Sequence, residues 1–512
     1  MTWQRWFALA IVACAMAGAR ADERQPWFDG DRPTATAREA VALLGDAASH
    51  GLDPRDYAAD ALALAVERAT RGPAAAPEAV ARLERALTSA MQRYLADMHD
   101  GRVDPRQLDQ RFAPLRREPF DAAAHLRSAL AEGRLFAAAR EAAPPFAQYE
   151  RLREALALYR GLAADPAWAT PLPALPGSKL EPGQPWDGVE RLAQRLARLG
   201  DLTAPPPERY EGPLVAAVES FQRRHGLAVD GVIGRSTLAA LEVPPQRRVR
   251  QIELALERLR WTPLLEGPRM IVINIPEFVL RAYEVIDGRI RVAVSMKVIV
   301  GKSLDTRTPI FDADMRSIEF QPFWNVPPSI ARAEVVPRLR RDPGWFDRQG
   351  FEFVAPDGSV HPVLTPAHID ALARGALRIR QRPGPRNALG DIKFVFPNAE
   401  HIFLHHTPET RLFERDRRDF SHGCVRVEDP VALAAFVLND RPDWTVERIR
   451  KAMTQDPSAT IRLDRPVRVL IAYGTTLVKD GQVYYFDDLY GQDRLLDAAL
   501  RRRSAERPNL LP

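Results

Sequence analysis

The strongest constraint on the fold is a change of hydrophobic pattern near residue 268. Before it, the chain is rich in alanine and other helix formers, and Leu83, Leu87 and Met91 recur at helical spacing. After it, β-branched residues dominate and partly alternate with polar ones, and Asp287-Gly288 is typical of a hairpin turn. The pattern predicts a multidomain α+β protein with an all-helical N-terminal part and a mostly-β C-terminal part. A length of 512 residues leaves room for several domains.

Composition shifts divide the chain into segments with different predicted structures. A Pro- and Gly-rich stretch separates the alanine-rich region from a compact unit with amphipathic helices. The predicted segments are a signal peptide (1–21), a helical scaffold domain (34–165), a Pro-rich linker (166–187), a small three-helix module (188–245), a connecting helix (246–266), a mostly-β domain (267–480) and a C-terminal tail (481–512). Within the mostly-β domain, residues 331–383 are less regular and are predicted to be an insertion that covers a site as a lid.

The N-terminus has the features of an export signal. Arg5 precedes an apolar run that is short for a membrane span, and Ala19-Arg20-Ala21 is a small-x-small cleavage site. We therefore expect export, cleavage before Asp22 and a periplasmic mature protein. Ile11-Val12-Ala13-Cys14 resembles a lipobox, so a lipid anchor on Cys14 is an alternative, as is an uncleaved anchor. No later segment has the length and apolar character of a membrane helix, so any anchoring is predicted to use the N-terminus.

The charge distribution argues against one class of partner. The formal net charge is +5, and the basic residues are scattered along the chain instead of clustered. A surface that binds nucleic acid needs a concentrated basic patch. We interpret the charges as a solvated surface of mixed sign and predict no nucleic-acid partner.

Cysteine usage singles out one side chain. The chain contains two cysteines, Cys14 and Cys424, and cleavage of the signal would leave Cys424 alone. A lone thiol in an oxidising compartment cannot form an intramolecular disulfide. It is therefore either a buried small apolar residue or a reactive group.

The neighbours of Cys424 favour a reactive thiol. A thiol with an ordinary pKa near ~8.5 needs an adjacent imidazole to become a thiolate at neutral pH. His422 precedes Cys424 by two residues, where an extended chain would bring both side chains to one face, and His405 ends an apolar strand. The amides near Gly423 are candidates for an oxyanion hole, and Arg426 is a candidate ligand for a substrate carboxylate. From the residues alone, His422 is the first choice of base.

Two structural alternatives to a nucleophile stay open at this point. One is a zinc site, for which His401, His405, His406, His422 and Cys424 offer donors. The sequence contains neither HExxH nor paired CxxC, so no metal or other cofactor is predicted. The other alternative is a buried structural cysteine with incidental histidines.

Two parts of the chain resemble known families. "FQRRHGLAVDGVIGRSTLAAL" (221–241) resembles the three-helix peptidoglycan-binding domain, although a passive spacer is an alternative role for this fold. His405, fifteen intervening residues and Ser421-His422-Gly423-Cys424 match the signature of the L,D-transpeptidases, the YkuD-type domain. "FWNVPPSI" and "RPGPRNALGDIKFVFPN" are similar to the same family. With its helical region, module and insertion, the chain resembles the large YcbB-like subgroup.

The resemblance implies a role for each residue of the signature. Cys424 matches the nucleophile, and His405 matches the general base, which is held by the backbone carbonyl of the next residue, His406. Many relatives carry glycine or a small residue there, so His406 departs from the pattern. His422 is implied to orient substrate or support the oxyanion hole, and Gly423 to contribute a backbone amide to it. Substrate binding is implied for Arg426, Ser421, Trp324 and Asn325.

The function implied by the resemblance is acyl transfer on peptidoglycan. Cys424 would attack the third residue of a tetrapeptide stem, release D-Ala and form a thioester, which an amine of a second stem resolves into a 3→3 crosslink. The implied partners are stem peptides, glycan strands and, as covalent inhibitors, carbapenem-type β-lactams. The alternatives are a murein-cleaving cysteine peptidase (an L,D-carboxypeptidase), in which water resolves the thioester, and a non-enzymatic wall-binding protein.

Overall fold

The structure is a computed structural model that describes residues 26–112, 120–263, 267–455 and 457–506. The predicted signal peptide and Cys14 lie outside these ranges. Within them, no helix combines the length and the apolar composition that crossing a membrane requires. The predicted architecture is confirmed: a helical N-terminal part and a small helical module precede a mostly-β part.

The N-terminal part is a set of packed helices whose ends follow local capping. The Thr34 hydroxyl accepts from the Ala37 N–H at 3.2 Å, and the Asp121 carboxylate caps a later helix. Leu87 and Met91 are fully buried, so the helical spacing in the sequence marks the core. The elements are β1 (Phe28–Asp29), β2 (Arg32–Pro33), α1 (Ala35–Gly45), α2 (Ala59–Arg71), α3 (Pro77–Asp100), β3 (Gln110–Arg111), α4 (Ala122–Glu132), α5 (Leu135–Ala142) and α6 (Ala147–Leu162).

The small helical module has its own core, in which Leu192 and Phe221 are buried. Its helices are α7 (Val189–Arg198), α8 (Pro213–Arg224) and α9 (Arg235–Leu241). The Pro-rich segment before it (166–187) is part of this unit. Leu180 is fully buried and exchanges two backbone hydrogen bonds of 3.0 Å with Ile233. The linker prediction is therefore corrected: the segment is an extended arm packed on the module.

A long helix, α10 (Pro245–Trp261), connects the module to the β-rich part and completes the scaffold core. Ile252 is fully buried against the scaffold helices. The carboxylate of Glu257 is also fully buried and accepts the backbone N–H groups of Arg102 and Val103. This contact fixes the chain that follows α3 to the connecting helix.

The β-rich part opens with long strands, the first of which pair as antiparallel neighbours. Asp287 and Gly288 occupy the predicted hairpin turn and have φ of 51° and 72°, the left-handed conformation that such a turn demands. Ile271 and Leu280 face the interior and are fully buried. The strands are β4 (Arg269–Asn274), β5 (Val279–Ile286), β6 (Arg289–Gly301) and β7 (Ile310–Phe320).

The inserted lid is a subdomain with a core of Leu339, Phe346 and Phe353, all fully buried. Its elements are β8 (Trp324–Asn325), α11 (Pro328–Ile330), a π-helical turn (Ala331–Val335), α12 (Val336–Arg341), α13 (Trp345–Gln349), β9 (Phe351–Val354), β10 (Val360–His361), α14 (Pro366–Arg374) and β11 (Arg378–Gln381). Strand β8 pairs with β11, so it belongs to the lid sheet. The lid therefore spans residues 324–381, a correction to the predicted 331–383.

The remaining strands close the main sheet. They are β12 (Ile392–Val395), β13 (Leu404–His405), β14 (Asp419–Ser421), β15 (Val425–Val427) and β16 (Ala459–Ala472), with helices α15 (Pro430–Val437) and α16 (Val446–Thr454). The strand order is β12-β13-β15-β6-β5-β4-β16-β7, and β12 also pairs with β7, which closes the sheet on itself. Strand β13 runs parallel to β15 and sets Leu404 opposite Val425. This pairing brings the two parts of the sequence signature side by side.

The C-terminal segment is structured, so the predicted tail (481–512) is corrected. Its elements are β17 (Thr476–Lys479), β18 (Gln482–Tyr485) and α17 (Gln492–Glu506). Strands β17 and β18 form a hairpin across the predicted boundary. Tyr485 is buried in the scaffold core, and the Val483 carbonyl accepts a 2.8 Å hydrogen bond from Arg224 of the module. The hairpin therefore joins the scaffold and the module to the β-rich part.

Candidate active site

Cys424 lies immediately before β15, and its side chain is partly exposed. The thiol lies 3.9 Å from the His401 carbonyl, to which it donates. Burial raises the pKa of the Cys424 thiol, while a backbone hydrogen bond from Phe403 and the charges of Lys393 and Arg426 oppose the rise. The resting sulfur is therefore a protonated thiol at neutral pH.

His405 ends β13, on the strand beside that of Cys424. In the parallel pairing with β15 it lies opposite Arg426, so these two side chains share one face of the sheet, and Cys424 comes directly before that strand. Its Nδ1 lies 2.6 Å from the backbone carbonyl of His406. A carbonyl only accepts hydrogen bonds, so Nδ1 carries the proton and Nε2 keeps the lone pair of a base.

Burial and nearby charge keep this imidazole neutral. Burial lowers the pKa of His405 to about 3, and the charges of Arg426 and Lys393 act in the same direction, whereas the His406 carbonyl opposes them. The side chain is only 4% exposed, so a nucleophile from solvent cannot reach it directly. The resting pair is a neutral thiol and a neutral imidazole, and His405 can hold an extra proton only briefly.

Lys393 is a charged neighbour that lies in the family-like segment "RPGPRNALGDIKFVFPN" but to which the sequence assigned no role. It lies on β12 directly opposite His405. Its Nζ pairs with Glu319 at 3.1 Å and lies 4.1 Å from the centre of the Phe403 ring. Its charge favours the thiolate of Cys424 and disfavours protonated His405. The sequence feature that could have predicted it is the alternation of side chains in the strand that precedes His405, where Lys393 is a polar position.

The turn before Cys424 differs from the extended segment that the sequence predicts. Residues 422–424 bend, and Gly423 has a φ of 111°, which side chains rarely tolerate. Its N–H donates to the Ser421 hydroxyl at 3.2 Å, and that hydroxyl donates to the Cys424 carbonyl at 2.5 Å. The Gly423 amide is thus occupied at rest, which makes the Cys424 amide a further candidate donor to an oxyanion, and the role of Gly423 there stays a prediction. Ser421 is buried and engaged in this turn, and its contact with substrate also stays a prediction.

A hydrogen-bond chain from the C-terminal segment supports this turn. The Thr308 hydroxyl donates to the Gly423 carbonyl at 2.7 Å and accepts from the Gly301 N–H at 2.8 Å. The Tyr490 hydroxyl donates to the Gly301 carbonyl at 2.6 Å and accepts from the Thr308 N–H at 3.2 Å. Thr308 and Gly423 are 115 residues apart, and no motif in the sequence pointed to this support.

His422 faces the lid. Its Nε2 lies 2.6 Å from Oε1 of Glu334, in the π-helical turn of the lid. The local sequence favoured His422 as the base because an extended chain would put it on the face of Cys424. The bend at Gly423 removes that geometry, and the His422 ring nitrogen is engaged by a carboxylate instead.

The other predicted substrate-binding residues lie in different surroundings. Arg426 pairs with Glu409 at 2.8 Å, and its Nε is buried without a hydrogen-bond partner among the described residues. Trp324 packs, partly buried, against the lid core, and Asn325 is exposed on the same edge strand. The structure thus brings Arg426 to the site and puts the other two on the lid. Their contact with substrate stays a prediction.

His406, the departure from the family pattern, uses its ring for packing. The ring lies against Gly390, which has a φ of 61°, and Nδ1 is 3.3 Å from the Asp391 carboxylate. A Cβ at position 390 would come within 2.6 Å of that nitrogen. Gly390 therefore makes room for the bulky side chain while the His406 carbonyl remains on His405.

The candidate zinc donors are not gathered into a ligand set. Over the described ranges, no three or more His, Cys, Asp or Glu side chains are grouped as metal ligands would be. His401 contributes its backbone carbonyl to the thiol.

Comparison with known families assigns the domain that contains these residues. Residues 268–469 match the family described as the L,D-transpeptidase catalytic domain. This part of the chain is similar to L,D-transpeptidase catalytic domains. Residues 187–241 match the "Putative peptidoglycan binding domain", and residues 19–156 match the "Scaffold domain". The resemblances read from the sequence are confirmed at this level.

Two known proteins are similar to parts of the chain. A "Putative L,D-transpeptidase" of Haemophilus influenzae is 30% identical over 298 residues, which cover 56% of this chain and 58% of that relative. The chain thus spans little more than half of that relative's length. The crystal structure of the L,D-transpeptidase (residues 123-326) from Xylanimonas cellulosilytica is 18% identical, with 59% of this chain and 100% of that chain covered at a TM-score of 0.19.

Proposed function

We propose that this protein is a peptidoglycan L,D-transpeptidase in which Cys424 is the nucleophile and His405 the general base. One observation carries the proposal. The His405 ring is held on the His406 carbonyl through Nδ1, which leaves the lone pair of a base on Nε2, and its strand β13 pairs with the strand that begins directly after Cys424. The assignment of the surrounding domain to the L,D-transpeptidases supports it.

The first half-reaction would acylate the sulfur. The thiol proton passes to Nε2 of His405 as Cys424 attacks the carbonyl of the third residue of a tetrapeptide stem. The Cys424 amide would donate to the oxyanion that develops. When the C–N bond breaks, His405 returns its proton to the leaving amine and D-Ala departs. A pKa of about 3 makes protonated His405 a strong acid toward that amine.

The second half-reaction would resolve the thioester. The side-chain amine of a second stem attacks the thioester carbonyl, the C–S bond breaks, and Cys424 regains a proton. The product is a 3→3 crosslink. The lid would limit access of competing water, and the module (α7–α9) would hold a glycan strand near the site. The N-terminal signal supports a periplasmic location, and carbapenem-type β-lactams would acylate the same sulfur.

Product analysis tests the proposal. Purified protein is incubated with disaccharide-tetrapeptide, and the products are identified by mass spectrometry. Crosslinked dimer with loss of D-Ala is expected. Tripeptide alone would indicate the carboxypeptidase alternative, and absence of any product would indicate a wall-binding protein.

The nucleophile assignment has its own test. Cys424→Ala is expected to abolish both product and covalent carbapenem adduct, because no other described residue is a cysteine. The circular dichroism spectrum should stay that of the unsubstituted protein, since the side chain is small and partly exposed. Turnover that survives this substitution would contradict the assignment.

A further inference from the structure

The lid reaches the turn of the nucleophile through Glu334. Its Oε1 lies 2.6 Å from Nε2 of His422, two residues from the sulfur. A carboxylate oxygen only accepts, so Nε2 carries a proton, and the tautomer that this contact selects is the one with the lone pair on Nδ1. Glu334 thus fixes both the orientation and the tautomer of His422.

The two imidazoles near Cys424 differ in accessibility. His405 is buried, with its ring on a backbone carbonyl. The His422 side chain is 31% exposed, and that of Glu334 is 53% exposed. A second substrate must arrive from solvent after the first has acylated Cys424. His422 and Glu334 offer such an acceptor an exposed imidazole and an exposed carboxylate in direct contact with each other.

We propose that Glu334 and His422 form the binding station for the acceptor amine, with Glu334 as the residue that positions His422. This inference rests on the proposed function and deepens it, because it names the groups that select an amine over water. The acceptor arrives as a primary ammonium ion, and the Glu334 carboxylate attracts its positive charge. Water carries no such charge, so the pair favours transfer over hydrolysis.

The proton balance of this step is complete. Nδ1 of His422 takes one proton from the ammonium ion, and the neutral amine attacks the thioester carbonyl on Cys424. The C–N bond forms, the C–S bond breaks, and the second amine proton goes to the sulfur through His405. The proton on His422 passes to solvent, which restores the resting ring.

The substitution Glu334→Gln tests the station in the full chain. With disaccharide-tetrapeptide as both donor and acceptor, the rate of the initial burst of D-Ala reports acylation, and the ratio of dimer to tripeptide reports the fate of the thioester. We expect the ratio to fall by about tenfold, while the burst rate of D-Ala release stays within about twofold of the unsubstituted protein. Glu334→Asp, which keeps the charge, should recover part of the ratio. An unchanged ratio, or an equal fall in both quantities, overturns the proposal.

A matched control lies in the same lid. Asp370 pairs with Arg340 at 3.0 Å and has the same exposed fraction as Glu334, 53%. Asp370→Asn breaks an equally exposed lid ion pair away from His422 and should leave the ratio unchanged. A fall equal to that of Glu334→Gln would assign the effect to the lid in general and overturn the proposal.

Failure of the inference and failure of the proposed function give different results. If the unsubstituted protein releases D-Ala but forms only tripeptide, the acceptor station is overturned. The proposed thioester on Cys424 is then still supported. A protein that releases no D-Ala overturns the proposed function, and the positioning role is then judged by ¹⁵N NMR of histidine-labelled protein. His422, assigned with His422→Gln, should carry its proton on Nε2 and lose this preference in Glu334→Gln. A ring protonated on Nδ1 alone overturns the positioning role.

Discussion

The chemical properties of the His405 and His422 imidazoles depend on the atom that each ring nitrogen contacts. His405 donates to a backbone carbonyl and is buried, so its pKa is lowered to about 3 and its free Nε2 can only pass a proton onward. His422 contacts a carboxylate at the surface. A carbonyl orients a ring without adding charge, whereas a carboxylate adds a charge that a cationic substrate can use. The two rings are therefore suited to different halves of the proposed reaction.

Separate substitutions should distinguish these roles. His405→Ala removes the base for sulfur and is expected to slow D-Ala release by about 100-fold or more. His422→Ala should leave D-Ala release nearly unchanged and lower the yield of dimer. Burst kinetics of D-Ala release and product analysis measure the two effects, with thermal melting as a check on folding. The reverse order, with His422→Ala the slower to release D-Ala, would show that the base has been assigned to the wrong ring.

The sequence predicted residues that share a motif and missed those that come together through the fold. Cys424, His422 and His405 lie within one contiguous signature. Glu334 is 88 residues from its partner His422, and Thr308 is 115 residues from Gly423. The spacing of residues within a motif cannot predict contacts between segments that are far apart in the sequence. The substrate contact of Ser421 was implied by the family resemblance and stays a prediction, and the structure shows a buried hydroxyl engaged with Gly423 and Cys424.

Among the structural elements, the pair β12 and β13 determines where His405, the proposed base, lies. Both the His405 ring and the carbonyl that orients it belong to the end of β13, and β12 presents Lys393 opposite. The loop before β12 contributes Gly390, over which the His406 ring lies. The sequence predicted these strands from their alternation. It did not predict the packing of His406, because a side chain that departs from the family pattern needs a partner that only the fold supplies.

Gly390→Ala should disturb the site through His406. Position 390 has a φ of 61°, and an added Cβ would lie 2.6 Å from the His406 ring. The ring must move, and the carbonyl that orients His405 moves with it, so we expect acylation to fall by about tenfold or more. Gly375→Ala is the matched control: its φ of 79° imposes the same backbone strain, with no atom within 4 Å of the new Cβ. Equal losses of acylation in the two variants would contradict this account.

At the scale of the whole molecule, the predicted domains share cores and strands. Strand β3 of the scaffold pairs with β7 of the catalytic sheet, with Gln110 opposite Ile310. Tyr485 of the C-terminal hairpin is buried in the scaffold core, and His225 of the module stacks on it with ring centroids 5.6 Å apart. The sequence predicted each domain from its own periodicity. Periodicity says which residues are buried but not against what, so the tail was assigned no structural role.

The buried histidines of these cores are expected to make the stability of the folded chain decrease in mild acid. Burial lowers the pKa of His50 and of His405 to about 3, and holds that of His225 well below 6.5. In the unfolded chain these rings take up protons as the pH falls below 6.5, and in the folded chain they do not. The unfolded state then binds more protons, so stability is complete above pH 6.5 and falls as the pH drops from there toward 3. Each such ring lowers the free energy of unfolding by up to about 1.4 kcal/mol per pH unit.

His225 allows one of these contributions to be removed alone. Its ring stacks on Phe221 at 3.7 Å, so His225→Phe keeps an aromatic ring between module and hairpin and removes the titrating group. The melting temperature is measured at about pH 7.5, 6.5 and 5.5. All three pH values lie above the range in which ordinary carboxylates titrate. We expect the melting temperature of the unsubstituted protein to fall between pH 6.5 and 5.5, and that of His225→Phe to fall less, whatever its value at pH 7.5. Identical slopes for the two proteins would mean that protonation of this ring is not coupled to unfolding, and that the contact between module and hairpin opens before the chain unfolds.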